Sequence, residues 1–276
     1  MTAHGGSSST LAVPRRVASV GPVRLLQDSW IEALRHLRAM PRSPELLVYA
    51  AIQPVMFVVL FVYVLGGAIV VPDYDDYRQF LIPGIFAQTV LWGSTFTGVG
   101  VAEDLGKGIV DRLRSLPMSQ SAVLVGRTLS DLVRNLLTFT MMFALALLVG
   151  FRFEGTVPGA IGATLLLLVF SHSFSWIQAW IGLSVKNAEA ANSGGFIWMF
   201  PITFVSSAFV DPRTMPGWLQ PIAEHNPFTT LTNATRALYN GREAGNDPWV
   251  ALAWAVGITI VFMVISTRKF AGRVNR

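Results

Sequence analysis

Residues that could do covalent chemistry are scarce in this chain. It has no cysteine, which removes disulfides, thiolate metal sites and cysteine nucleophiles. The four histidines (His4, His36, His172 and His225) are scattered, and none has an H-E-x-x-H or similar metal-ligating partner. No Gly-x-x-x-x-Gly-Lys-Ser/Thr loop exists. The only Gly-Lys pair is Gly106-Lys107, and Gly108 follows it with no hydroxyl to offer magnesium. The chain therefore cannot hydrolyse a nucleotide in the P-loop manner by itself, and any dependence on ATP must come from another polypeptide. Asp211, Glu224 and His225 come nearest to a paired catalytic set, and they read as ordinary loop residues.

What remains is a small set of polar groups inside apolar runs. His172 lies among Ser171, Ser173 and Ser175, near Gln178. An ionisable group within a membrane span is a functional candidate by default, but a neutral histidine beside serines can also hydrogen-bond across packed helices. Gln53 and Gln88 read as helix-packing groups in the same way. Arg127, Asp131 and Arg134 stand four and three residues apart, which predicts an ion-paired anchor at the headgroups. No run carries a chain of carboxylates, which counts against proton or sodium coupling.

The elements that hold these groups are apolar. Hydrophobic residues make up 52% of the chain and charged ones 13%, against about 25% charged in soluble domains. Several runs approach or exceed the ~20 residues needed to cross a bilayer, and only structures that satisfy their own backbone can do so. Six helical spans are expected near residues 46–69, 80–101, 132–151, 158–185, 193–210 and 249–266 of a single domain. The second and fifth are interrupted, by Pro83, Gly84, Gly93, Gly98 and Gly100 in one and by Gly194, Gly195 and Pro201 in the other. With both termini cytoplasmic, sixteen basic residues lie on inner segments and five (Arg78, Arg152, Arg213, Arg236, Arg242) on outer ones, as the positive-inside rule requires. The net charge of +5 is thus a topology signal and no nucleic-acid surface. Residues 1–21 read as a disordered cytoplasmic tail that begins Gly/Ser-rich, and no apolar h-region follows to make a signal peptide. From Pro22 to Met40, Leu26, Trp30, Leu34 and Leu37 face away from Arg24, Asp28, Glu32, Arg35 and Arg38, the pattern of a helix lying in the membrane interface.

Between the second and third spans lies the longest charged interruption, Glu103 to Ser119. At helical spacing Leu105, Ile109, Leu113 and Leu116 share one face, while Asp104, Lys107, Asp111, Arg112 and Arg114 take up much of the rest. Pro117 stops the helix. Such a helix either lies on lipid or offers a docking face to a soluble partner. Between Asp211 and Trp249 the chain is too polar to span and too apolar for an ordinary loop. Pro216-Gly217-Trp218-Leu219 reads as a turn opening a short helix. Asn226-Pro227 caps and opens a second, bearing Phe228, Leu231, Ala234 and Leu238 at helical spacing with Arg236 elsewhere around it, until Gly241 ends it. A helical hairpin dipping back into the outer leaflet is the expected form, with Trp218, Asn226, Pro227, Phe228 and Leu231 in an extracellular gate.

The segment Glu103-Asp104 … Gly108-Ile109-Val110-Asp111-Arg112-Leu113-Arg114-Ser115-Leu116-Pro117-Met118-Ser119 … Gly126-Arg127 resembles the cytoplasmic loop signature of ABC-2 type exporter permeases. Met215-Pro216-Gly217-Trp218-Leu219-Gln220-Pro221 … Asn226-Pro227 … Arg236-Ala237-Leu238 … Gly241 is similar to the last extracellular loop of the daunorubicin-resistance branch. The resemblance covers essentially all of the chain after the tail. It implies an all-α membrane protein with six transmembrane helices, an N-terminal interfacial connecting helix, a cytoplasmic coupling helix and an extracellular re-entrant hairpin before the last span. Glu103, Asp104, Leu105, Ile109, Asp111, Arg112, Leu113, Leu116 and Pro117 would seat the helix that couples to an ATPase. It further implies a separate nucleotide-binding subunit that holds ATP and magnesium, no cofactor in this chain and no catalysis by it. A second permease, identical or related, would meet it mainly through the first and fifth spans. An amphiphilic drug, lipid or polyketide-like substrate would be exported. The excess of arginine over lysine, 18 to 3, goes with a high-GC bacterium and hence a bacterial plasma membrane. A secondary transporter and a membrane assembly protein are the alternatives.

Overall fold

A computed structural model describes residues 27, 29–31, 33–34, 52–64, 66, 69, 71, 74, 76–108 and 120–274. Among them every regular element is helical. We number α1 (Ile52–Val64), which ends in a π-helical turn from Val59, α2 (Tyr77–Gly93), α3 (Thr95–Gly106), α4 (Gln120–Leu148), α5 (Val157–Gly182), α6 (Ala188–Phe204), α7 (Gln220–Glu224), α8 (Pro227–Tyr239) and α9 (Asp247–Val274).

Among the described residues, four helical rods are long and apolar enough to cross a membrane: α2 with α3, α4, α5 and α9. The second rod, α4, starts at Gln120, well before residue 132, and the last, α9, runs on to Val274, beyond residue 266. Both extensions carry charged residues, Arg127 and Asp131 in one and Arg268 and Lys269 in the other, which interrupt the apolar pattern. The 13 residues of α1 and the 17 of α6 rise only about 20 and 26 Å against a hydrocarbon core of about 30 Å. The chain leaves helical geometry after Phe204, so residues 205–210 do not extend α6 as the apolar run suggests.

The rod made by α2 and α3 is the centre of the bundle. Its best apolar window is 83% buried, against 17% for α9 at the periphery. A helix that is hydrophobic all round belongs inside, and here its small residues let neighbours approach: a Cβ on Gly84 would collide with the backbone of Ala208, and one on Gly98 with that of Gln178. The rod breaks at Ser94, whose hydroxyl bonds back to the Leu91 carbonyl at 2.6 Å. Phe86 anchors one half by edge-on contacts to Phe139 of α4 at 5.2 Å and Tyr239 of α8 at 5.7 Å.

α8 is a 13-residue helix sunk among α2, α5 and α9, with Phe228, Leu231, Thr232 and Thr235 fully buried. Asn226 caps it: its Oδ1 accepts from Phe228 N at 2.8 Å, while its Nδ2 donates to the carbonyls of Ile202 and Val205. Pro227 occupies the first turn, and Gly241, at φ +65°, takes the left-handed turn beyond the end. In the N-terminal helical stretch, Leu26 and Leu37 lie outside the described residues, as does the whole tail 1–21. There Ser29 and Ala33 are buried, while Trp30 is exposed and Leu34 half-buried.

Candidate functional site

A cavity of about 190 Å³ lies midway along the central rod. Thr89 and Trp92 of α2, Phe96 of α3, Arg134, Asn135 and Thr138 of α4, and Asn192 and Phe196 of α6 form most of its wall. Gln53 and Pro54 of α1 close one side. The lining alternates aromatic faces with amides, threonine hydroxyls and one guanidinium. Such a wall suits a flat amphiphile with a few polar substituents, because the rings accept apolar surface and the amides satisfy polar atoms that would be costly to desolvate unpaired. Asn192 is exposed and Gln53 half-buried, so the cavity opens towards α1 and α6.

A charge network runs from this cavity towards the Gly106 end of the rod. Arg134 Nη2 pairs with Asp131 Oδ1 at 2.8 Å, Arg127 lies 3.7 Å from the other carboxylate oxygen, and Asp104 is 3.7 Å from Arg127 Nη1. Thr97 donates to Asp131 Oδ2 at 2.5 Å. The same arginines cap carbonyls around the break in the rod: Arg134 donates to Gly93 O at 3.2 Å and Arg127 to Phe96 O at 3.3 Å. A helix break frees carbonyls that must find donors in an apolar setting, and α4 supplies them. Gly100 makes room, since a Cβ there would overlap the Arg127 guanidinium. Arg134 also stacks over the Phe96 ring at 4.4 Å.

The expected ion pairs among Arg127, Asp131 and Arg134 are therefore present, turned towards the neighbouring helices. Asp131 is 2% exposed and faces the protein interior. The reason is the sequence of α4 itself, where Arg127, Asp131, Arg134, Asn135 and Thr138 form one polar stripe at helical spacing down an apolar helix. That stripe was the available signal for Asn135 and Thr138, which sequence reasoning passed over, along with Thr89, Trp92, Phe96, Asn192 and Phe196.

The other polar candidates separate. Gln53 reaches the cavity. Gln88 is 1% exposed in the rod, away from the cavity lining, and neither end of its amide has a protein partner. Gln178 sits where α3, α5 and α6 meet, its Nε2 donating to Met199 Sδ at 2.8 Å, and it lies against Gly98 and Gly195. His172 accepts from Trp176 Nε1 at 3.2 Å on its own helix. The bonds across helices come from Ser171 instead, which accepts from Asn135 and donates to the Val90 carbonyl. Trp218 is exposed, whereas Asn226, Phe228 and Leu231 are buried around α8 and Pro227 is half-buried. Of the charged loop, Glu103, Asp104 and Leu105 form the last turn of α3, and Ile109, Asp111, Arg112, Leu113, Leu116 and Pro117 lie outside the described residues.

The family model for ABC-2 type transporters matches residues 29–240. The daunorubicin resistance ABC transporter permease protein DrrB1 of Streptomyces coeruleorubidus is 34% identical over 239 residues, 87% of this chain and 84% of that one. The probable doxorubicin resistance ABC transporter permease protein DrrC of Mycobacterium tuberculosis is 25% identical over 256 residues, 92% of each chain. The probable multidrug ABC transporter permease YbhR of Escherichia coli is 24% identical over 166 residues, 59% of this chain and 44% of that one.

Proposed function

The chain belongs to the ABC-2 type transporter family, and from that premise we propose that it is the transmembrane permease subunit of an ATP-driven exporter in a bacterial plasma membrane. A separate nucleotide-binding subunit holds ATP and magnesium and hydrolyses the nucleotide. This chain contributes the path and the mechanical link, not the catalysis. The observation that carries the reading is the continuity of α3: one helical element bears Phe96 at the cavity and Asp104 at the mouth of the charged loop, joined through Arg127, Asp131 and Arg134.

In this reading the segment from Glu103 to Pro117 seats in the ATPase, and closure of the ATPase presses on the end of α3. The charge network then passes the displacement to both sides of the cavity, because Arg134 is bonded to α2 and Asp131 to α3 while both belong to α4. A substrate can move this equilibrium only by binding the two arrangements with different affinity. The full topology has six crossings, with α1 and α6 as the short ones, both termini cytoplasmic and α8 re-entrant from the outer side. The helical stretch around Trp30 lies along the inner surface against the ATPase. A second permease, identical or related, covers the side on which α1 and α6 expose Met56, Leu60, Tyr63, Ile197 and Phe200, which is also the side to which the cavity opens. The aromatic and amide lining, with relatives named for daunorubicin and doxorubicin resistance, supports an amphiphilic aromatic drug or a polyketide-like molecule as cargo, or a lipid. A secondary transporter needs a buried group to load and unload. Among the described residues the one buried carboxylate, Asp131, is already tied to Arg134, Arg127 and Thr97.

The test is Leu113→Asp with co-purification of the ATPase. Burying a carboxylate in an apolar contact costs a few kcal/mol, so association and transport should both fall while membrane insertion is unchanged. Full association and transport in the variant would remove the docking assignment.

A further inference from the structure

The bundle holds a second cavity, of about 370 Å³, at the end where α9 begins. Its inner wall is Arg236 of α8, which is 5% exposed. The guanidinium Nε donates to the Phe80 carbonyl at 2.8 Å, Nη2 to the Ser207 carbonyl at 2.7 Å and Nη1 to Asn233 Oδ1 at 3.2 Å. Its plane covers the Phe80 ring at 3.6 Å. Every one of these partners is neutral, and among the described residues no carboxylate lies within ion-pair distance of Arg236. A buried cation normally has a counter-ion, because removing it from water is not repaid by neutral acceptors alone. Burial accordingly pushes the guanidinium down to about 10. Three of its five N–H groups are accounted for by these bonds.

The remaining charges narrow the ligand. Asp211 is paired with Arg213 at 2.6 Å, and that hydrogen bond holds its carboxyl below the usual range, while its charge also acts on Arg236 through space without a direct ion pair. Arg242 stacks over the Tyr74 ring at 3.8 Å, and Glu243 and Asp247 complete the wall. With Asp211 held by Arg213, the wall presents Arg236 and Arg242 against Glu243 and Asp247, so a ligand of a single charge meets repulsion as well as attraction. Depth is indicated independently. Trp249, two residues beyond Asp247, is 72% exposed and Trp218 73% exposed, and tryptophan concentrates where a protein crosses the headgroup layer.

We propose that this cavity binds a zwitterionic headgroup, a phosphoryl anion on Arg236 linked to an ammonium that faces Glu243 and Asp247, which is the chemistry of phosphoethanolamine. The guanidinium fork matches phosphoryl oxygens, and the volume falls within the roughly 300–1,000 Å³ of small-ligand sites. The assignment does not depend on how transport is powered.

The chain's lack of cysteine makes a direct test available. Ala244, half-buried in the cavity wall, is replaced by cysteine in the full-length protein, and its labelling by a charged thiol reagent is timed. Soluble phosphoethanolamine is added to delipidated protein, and in parallel the protein is placed in phosphatidylglycerol vesicles with or without phosphatidylethanolamine. Saturable protection is expected. Protection by the soluble compound identifies the headgroup as sufficient, and protection by the vesicles alone identifies the bilayer as its source. Arg236→Gln should weaken protection about tenfold or more. Because Arg236 also caps two carbonyls and that variant can fail to fold, Glu243→Gln combined with Asp247→Asn carries the test independently. It should weaken protection by phosphoethanolamine and strengthen any by inorganic phosphate, because the two repelling carboxylates are gone. Absence of protection by both the soluble compound and the lipid overturns the proposal. So does inorganic phosphate protecting the unaltered protein as well as phosphoethanolamine, or an acidic double variant protected as well as its parent.

Discussion

Replacing Asp131 with asparagine tests whether the charge network holds the central rod to α4. The carboxylate lies 2.8 Å from Arg134 and 3.7 Å from Arg127, and it accepts from Thr97 at 2.5 Å. Removing one partner of a buried ion pair costs about 3–5 kcal/mol, since the other charge stays behind. Asparagine keeps an acceptor for Thr97, and Arg134 borders a cavity that water can enter, so the lower end, about 3 kcal/mol, is expected. The measurement is unfolding of the purified chain in mixed micelles, followed by helix signal against denaturing detergent. A double-mutant cycle with Arg134→Gln should return a coupling of about 1–3 kcal/mol, because the two changes remove one shared interaction. With the ATPase present, Asp131→Asn should retain nucleotide hydrolysis and lose most of its transport. A loss of stability under ~0.5 kcal/mol together with additive single and double variants would refute the network as an energetic link.

Three further outcomes follow from the packing. Gly195→Leu should destabilise the isolated chain by about 1–3 kcal/mol because its Cβ meets the Gln178 side chain, whereas Gly162→Leu, facing open space, should stay within ~0.5 kcal/mol; equal thermal shifts would contradict the assigned packing of α6 on α5. Asn226→Ala removes the α8 cap and two carbonyl contacts, so a loss of about 2–3 kcal/mol is expected in the same assay. Single cysteines at Phe228, Leu231 and Thr235 should label far more slowly than one at Trp218, which is 73% exposed against 0% for the three; uniform fast labelling from outside would place α8 on the surface.

The fifth apolar run illustrates how one residue type serves two purposes. Gly194 and Gly195 read as a close-packing face for a second copy, because small residues admit a neighbouring backbone. In the folded chain Gly195 is used internally, against Gln178, and the face of α6 left outward carries Ile197 and Phe200. Small residues mark close approach without saying to what. A similar ambiguity affected the second run. Pro83 and its glycines argue for a weak span when each helix is weighed alone, yet they make it the most enclosed rod of the bundle, since what weakens an isolated helix also lets five neighbours pack on it.

The order of apolar runs, the Asn226-Pro227 helix start and the Gly241 stop were all legible in the sequence, because each depends on local periodicity or on the backbone preference of one residue. So was the pairing of Arg127, Asp131 and Arg134, which one turn of helix brings together. Which way that stripe points was not. Whether an arginine on an apolar helix reaches headgroups or the interior depends on the helices beside it, and only the folded bundle sets Gly93 and Gly100 under Asn135 and Arg127. The two cavities belong to the tertiary structure for the same reason. Each is walled by residues far apart in the chain, such as Gln53 with Asn192 and Phe80 with Arg236, and no periodicity connects positions that meet only when separate helices pack.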